Sequence, residues 1–262
     1  MMVRIILVAV VIGLSFPAIS QEKLVWSDEF ETDGALDPNK WAYDLGTGCP
    51  NVCGWGNNEK QYYTNHPSNV RVGNGVLTIE AHHHPQSPVK YTSARIVTRG
   101  KASWKYGRIE VRAKLPSGRG TWPAIWMMPD ESTYGGWPRS GEIDIMEHVG
   151  FDPEQVHGTV HTQAYNHKIG TQRGQQLKVD GSMDEFHTYG IRWTETVIEF
   201  FIDGEKYFEF KKQSDNPDEW PFDQPFHLIM NIAVGGGWGG QKGIDDSIWP
   251  RAMEVDYVRV YQ

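Results

Sequence analysis

The sequence predicts an all-β domain, a sandwich or jelly roll of antiparallel strands. Three features of the 262 residues carry that expectation. Apolar and polar residues alternate with period two in one segment after another. Glycine and proline turns separate those segments, and long helical periodicity is nearly absent.

The elements follow in chain order. Val76-Leu77-Thr78-Ile79-Glu80-Ala81 alternates, as does the run from Gly107 to Leu115. Thr121 to Met128 sets Trp122 and Trp126 four apart, which puts both on one face of a strand. Gly141 to Glu147 alternates acids with large apolar residues, so one face belongs to a core and the other to a cleft. Val197 to Ile202 and Lys206 to Phe210 flank Asp203-Gly204, a dipeptide suited to a tight hairpin turn. Met253 to Tyr261 supplies a closing strand. Trp41, Trp193 and Trp249 are read as core tryptophans.

The N-terminus reads as a secretory signal over residues 1–20. Arg4 precedes an apolar run from Ile5 to Phe16, and Ala18-Ile19-Ser20 offers small residues for cleavage. The run is too short for a confident membrane span, and no second one follows. Residues 21–262 then form one secreted domain, with no linker, repeat or low-complexity stretch inside it. The net charge is −8, and loss of Arg4 makes the mature chain one unit more negative. Such a chain is a poor partner for nucleic acid or anionic membranes and is compatible with a neutral polymer. Export favours a local disulfide between Cys49 and Cys53, with free thiols as the alternative. His82-His83-His84 reads as a polar turn, since three adjacent side chains do not converge on one ion.

The chemistry concentrates in one strand. Glu142, Asp144 and Glu147 fall within six residues. Like charges so close cost stability, a cost a fold accepts most readily where chemistry uses it, and paired carboxylates are the apparatus of glycoside hydrolysis. Glu142 and Asp144 share a face. Glu147 would point away under strict alternation, and a β-bulge at Ile145 or Met146 would return it. The competing reading is a half-buried edge strand with an acidic solvent face. Aromatic company argues against that. Trp122 and Trp126 lie nearby, Trp137 stands just before the acids, and Trp238 lies in Gly235-Gly236-Gly237-Trp238-Gly239-Gly240. A loop so rich in glycine does not easily bury an indole, which would suit it to stacking on a sugar ring.

At this point the chain resembles the laminarinase-like members of glycoside hydrolase family 16. The resemblance runs from Trp26-Ser27-Asp28-Glu29-Phe30 to Val255-Asp256-Tyr257-Val258-Arg259-Val260-Tyr261 and is most specific at Gly141 to Glu147, with Met146 as the inserted residue of the bulge. Gly54-Trp55-Gly56-Asn57-Asn58-Glu59, Ser93-Ala94-Arg95-Ile96, Trp122 to Trp126, His157 to Thr162 and the Trp238 loop support it. It implies a concanavalin A-like β-jelly roll of two curved antiparallel sheets with a concave substrate cleft. It implies a retaining endo-β-1,3-glucanase, with Glu142 as nucleophile, Glu147 as acid/base and Asp144 assisting. Asn58, Arg95, Trp122, Trp126, Trp137, His161 and Trp238 match positions that line the family's cleft. The resemblance also implies a structural Ca²⁺ on the convex side, held by the carbonyls of Glu29 and Gly75 and the side chain of Asp256, and no cofactor for catalysis. β-1,3-Glucan polysaccharide and its oligosaccharides are the expected partners of a monomer. Alternatives are a same-fold hydrolase or transglycosylase acting on mixed-linkage glucan or a galactan, and a non-catalytic glucan-binding protein. Retention of both glutamates disfavours the last.

Overall fold

A computed structural model describes residues 22–262; the expected signal at 1–20 lies outside them. Seventeen strands run in chain order. They are β1 (Leu24–Asp28), β2 (Ala42–Tyr43), β3 (Gln61–Tyr63), β4 (Val70–Gly73), β5 (Val76–His83) and β6 (Tyr91–Ser93). Then come β7 (Arg95–Val97), β8 (Gly107–Lys114), β9 (Thr121–Pro129), β10 (Glu142–His148), β11 (Gln155–His161) and β12 (Arg173–Lys178). The last are β13 (His187–Trp193), β14 (Val197–Ile202), β15 (Glu205–Lys211), β16 (Phe226–Val234) and β17 (Arg251–Tyr261). Two short 3₁₀ turns are the only helical segments among the described residues.

The strands form two sheets. One runs β15-β14-β13-β8-β17-β5-β6-β3, with β1 beside β17 and β4 beside β5; the other runs β12-β11-β10-β9-β16-β7-β2. Pairing is antiparallel except between β3 and β6, which run parallel. The core lies between the sheets. Leu77, Ile79, Ile109, Val111, Val255 and Val260 face it from one side, and Ile125, Met127, Ile143, Leu228, Met230 and Ile232 from the other. Alternation sorts these residues: β5, β8 and β14 switch between buried and part-exposed positions along much of their length. β16 is buried at every position, because the face turned from the core is covered as well. β12 is exposed throughout, an edge strand whose Arg173 and Lys178 discourage pairing with another sheet. Asp203 and Gly204 both adopt positive φ, 51° and 82°, the conformation a two-residue hairpin demands and this dipeptide tolerates.

Trp41 and Trp193 are buried as expected, while Trp249 is half-buried against Tyr91. Cys49 and Cys53 are joined. The histidine triplet is not simply a turn. β5 continues through His82 and His83, with His82 beside Glu80, His83 stacked on Tyr91 and His84 bonded to Thr92.

Candidate active site

β9, β10, β11 and β16 turn one face away from the core, and the acids lie on it. In the β9–β10 register Asp144 faces Trp126, Met146 faces Ile125 and Glu147 faces Ala124. Ile145 is therefore the extra residue of a bulge against β9, where the sequence reading had named Met146 as the insertion. Ile145 and Met146 both enter the core, 1% and 0% exposed. The bulge brings Glu147 back to the face of Glu142 and Asp144. Across β11, Glu142 faces His161, Asp144 faces Thr159 and Glu147 faces His157.

Each glutamate has its own indole donor. Trp137 Nε1 donates to Glu142 Oε2 at 2.8 Å, and Trp122 Nε1 donates to Glu147 Oε1 at 3.0 Å. His161 Nε2 lies 3.3 Å from Asp144 Oδ2 and 3.8 Å from Glu142 Oε1. Asp144 is nearly sealed, while 15% of the Glu142 side chain stays open to the cleft. All three acids are pushed up to about 8, first by burial of the charged form. The like charge of Asp144 adds to this for both glutamates; His161 and the indole donors oppose it.

A fourth carboxylate stands behind Trp122. Glu59 accepts from Gln61 Nε2 at 2.6 Å, Tyr63 OH at 3.3 Å and Asn57 Nδ2 at 3.3 Å. Burial raises its pKa, and its charge helps to raise that of Glu147. Asn231 Nδ2 donates to Tyr63 OH and its Oδ1 accepts from Trp126 Nε1, at 3.0 and 2.8 Å. One hydrogen-bonded chain thus links Glu59 to Trp126. Arg95 is no free surface cation. Its guanidinium lies between Trp55 and Trp126, 4.4 and 4.8 Å from their rings, and Nε lies 3.0 Å from the buried Asp44. It braces Trp126 by charge and by stacking.

The arrangement is a row of largely buried carboxyls with aromatic rings beside it, suited to acid/base and nucleophilic work on a sugar polymer. Residues 57–259 match the family described as glycosyl hydrolases family 16. The chain belongs to glycosyl hydrolases family 16. Its sequence is 59% identical over 248 residues to the β-glucanase of Rhodothermus marinus, covering 92% of this chain and 85% of that protein. Its fold is similar to the X-ray structure of the laminarinase from Rhodothermus marinus, with TM-score 0.88 and 57% identity over 92% of this chain and 98% of that one. It is also similar to SCLam, a non-specific endo-β-1,3(4)-glucanase of the same family, with TM-score 0.86 and 48% identity over 95% and 93% of the two chains.

Most of the expected cleft residues meet in this family 16 chain. Trp122, Trp126, Trp137 and His161 surround the acids. Asn58 is exposed at the end of the Glu59 segment, with φ of 59° and no bond to the acids. Trp238 does not project freely. Its ring is half-buried, edge-on to Trp122 with centroids 5.6 Å apart and to His157 at 4.9 Å. The glycines make this fit possible, since a Cβ on Gly239 would sit 2.8 Å from Trp122 Cβ. The sequence reading quoted Trp55, Glu59 and His157 only within motifs, with no role of their own, and did not name Gln61, Tyr63 or Asn231. The period-two spacing of Glu59, Gln61 and Tyr63 was the available signal, since it sets three polar groups on one face.

Glu29, Gly75 and Asp256 lie apart from the acids. β1 and β5 share one edge of β17, pairing at Asp28–Val258 and Leu77–Val255. Glu29 and Gly75 therefore flank the gap at Asp256, which is itself a bulge residue left unpaired by β8. Arg112 holds the Asp256 carboxylate.

Proposed function

We propose that this chain is a retaining endo-β-1,3-glucanase that cuts β-1,3-glucan internally by double displacement. The observation that carries the reading is the placement of two glutamates on one strand face by a bulge, each with its own indole donor. Glu142 as carboxylate attacks the anomeric carbon. Glu147, protonated on Oε2 while Oε1 accepts from Trp122, gives its proton to the leaving oxygen, and then acts as base toward the hydrolytic water. Asp144 shares the ionisation of Glu142. Trp126, Trp137 and Trp238 offer ring faces or edges to the sugars, with Arg95 holding Trp126.

The similarity to a laminarinase supports the β-1,3 linkage. The similarity to a non-specific β-1,3(4)-glucanase favours, as a second reading, tolerance of mixed linkages. Digestion of laminarin, curdlan, lichenan, agar and carrageenan, with linkage analysis of products, decides between them. Oligosaccharides from laminarin and curdlan with retained configuration are expected. Release from agar or carrageenan alone would overturn the substrate assignment, and inverted products would overturn the mechanism.

Two further readings belong to the same proposal. Residues 1–20 direct export and 21–262 act outside the cytoplasm as a monomer. A Ca²⁺ ion bound by the Glu29 and Gly75 carbonyls and Asp256 supports the fold; oxygen donors suit that ion, and Arg112 would yield one Asp256 oxygen to it. The pairing of β1 and β5 along one edge of β17 supports this reading. EDTA should lower the melting temperature of metal-loaded protein with little direct loss of activity.

A further inference from the structure

Glu142, Asp144 and His161 do more than line a cleft. One ligand atom from each lies within 4.8 Å of the other two, the one such group of three found among the described residues. They stand on adjacent paired strands, with Glu142 directly across from His161 and Asp144 two positions along. Asp144 is 2% exposed, and its Oδ2 has no hydrogen-bond partner although His161 Nε2 is 3.3 Å away. No N–H donor reaches this buried oxygen, which leaves it to share a proton with Glu142 or to take a cation between Glu142 and His161.

From this we infer that the catalytic carboxylates and His161 form a binding site for a transition-metal dication of the Zn²⁺ or Cu²⁺ class. Ligand atoms 2.0–2.1 Å from a tetrahedral zinc stand about 3.3 Å apart. The His161–Asp144 spacing is already 3.3 Å, and the His161–Glu142 spacing of 3.8 Å needs only a small inward movement. One imidazole with two carboxylates selects zinc or copper over Ca²⁺ and Mg²⁺, which prefer oxygen alone. Water on the cleft side completes the shell. His161 Nδ1 has no partner, so no outer carboxylate orients the ring, and binding is reversible rather than that of a resident metal. The metal takes the lone pairs of Glu142, so it blocks the cleft; that consequence rests on the nucleophile role proposed above, whereas the site itself does not.

Calorimetric titration of EDTA-washed protein with Zn²⁺ tests the site, with Co²⁺ as a probe whose visible bands report nitrogen and oxygen ligation. One equivalent should bind, and His161→Asn and Glu142→Gln should each weaken it by at least about 100-fold, since even an outer partner of a ligand is worth 10–100-fold. His84→Asn should leave it unchanged, and a laminari-oligosaccharide should displace the metal. Absence of binding at millimolar zinc, retention in both site variants, or loss only in His84→Asn would overturn the inference. If zinc binds as described but the metal-free protein cuts no glucan, the glucanase reading fails and the metal site stands.

Discussion

Replacing Glu147 with glutamine should stabilise the protein at neutral pH. The folded state holds the Glu147 proton up to about 8, against 4.5 for a free glutamate, first because burial disfavours the charge. The sign follows from linkage. Below about pH 4.5 both states are protonated and nothing is lost. As pH rises toward 8 the unfolded chain releases this proton and the folded one does not, so stability falls. Across the 2.5 units from 4.5 to 7 the ceiling is about 3 kcal/mol at 1.36 kcal/mol per unit. Coupling to Asp144 and the opening toward cleft water reduce it, to about 1–3 kcal/mol. Glutamine keeps the acceptor for Trp122 Nε1, so little else changes. For a chain of this size the melting temperature should rise by roughly 3–10 °C at pH 7. The gain should shrink toward zero at pH 4. Scanning calorimetry of both proteins from pH 4 to 8 measures this. A difference independent of pH, or a less stable variant at pH 7, would refute the argument that burial of Glu147 strains the fold.

Four other outcomes follow from the site. Glu142→Ala and Glu147→Ala should each lose roughly 100-fold or more in turnover of polymer. Azide should rescue both on an activated glycoside, giving the α-azide with the first and the β-azide with the second; NMR of the products reads this, and the same anomer from both would sink the assignment. Glu59→Gln removes a like charge near Glu147, so the alkaline limb of kcat/KM should move to lower pH; an unmoved limb would leave Glu59 a purely structural role. Trp137→Phe removes a donor from Glu142 and should raise the acid limb, while Trp122→Phe should raise the alkaline one, both read from pH profiles. Trp238→Ala should cut polymer turnover by roughly 3–10-fold, the worth of one aromatic contact. It should also cost some turnover of a short activated glycoside, because Trp238 braces Trp122, and no effect on either substrate would argue against that brace.

The fold was legible because alternation is local. β5, β8, β10 and β14 each announce their buried face, and Asp203-Gly204 announces its turn. The need for a bulge was legible too, since Glu147 sits an odd step from Glu142. Which residue is extra was not, because Ile145 and Met146 are both apolar and both enter the core. Trp238 misled for a physical reason. Glycines that free a loop from the surface also let it fold back without clash, and Trp122 offered an apolar edge. The Glu59 chain hides for another reason: its link runs through Tyr63 to Asn231, 168 residues further on, and those two meet only once β16 and β3 are brought together.

Burial alone cannot assign roles, since it lifts Glu142, Asp144 and Glu147 to the same range. Their polar neighbours break the tie. Glu142 has the Trp137 N–H on one oxygen and His161 3.8 Å from the other, and both favour its anion. Asp144 beside it competes for that anion, so the pair releases its first proton as a unit. Glu147 likewise has one N–H donor, on Oε1, and the pull of His161, but it meets the like charges of both Asp144 and Glu59. Once Glu142 or Asp144 ionises, repulsion makes a second ionisation at Glu147 harder still. The proton therefore stays on Glu147, on the oxygen Trp122 leaves free, while the charge stays near Glu142. Two glutamates on one strand face become an acid and a nucleophile because His161 stands beside Glu142 while Glu59 adds its like charge at Glu147.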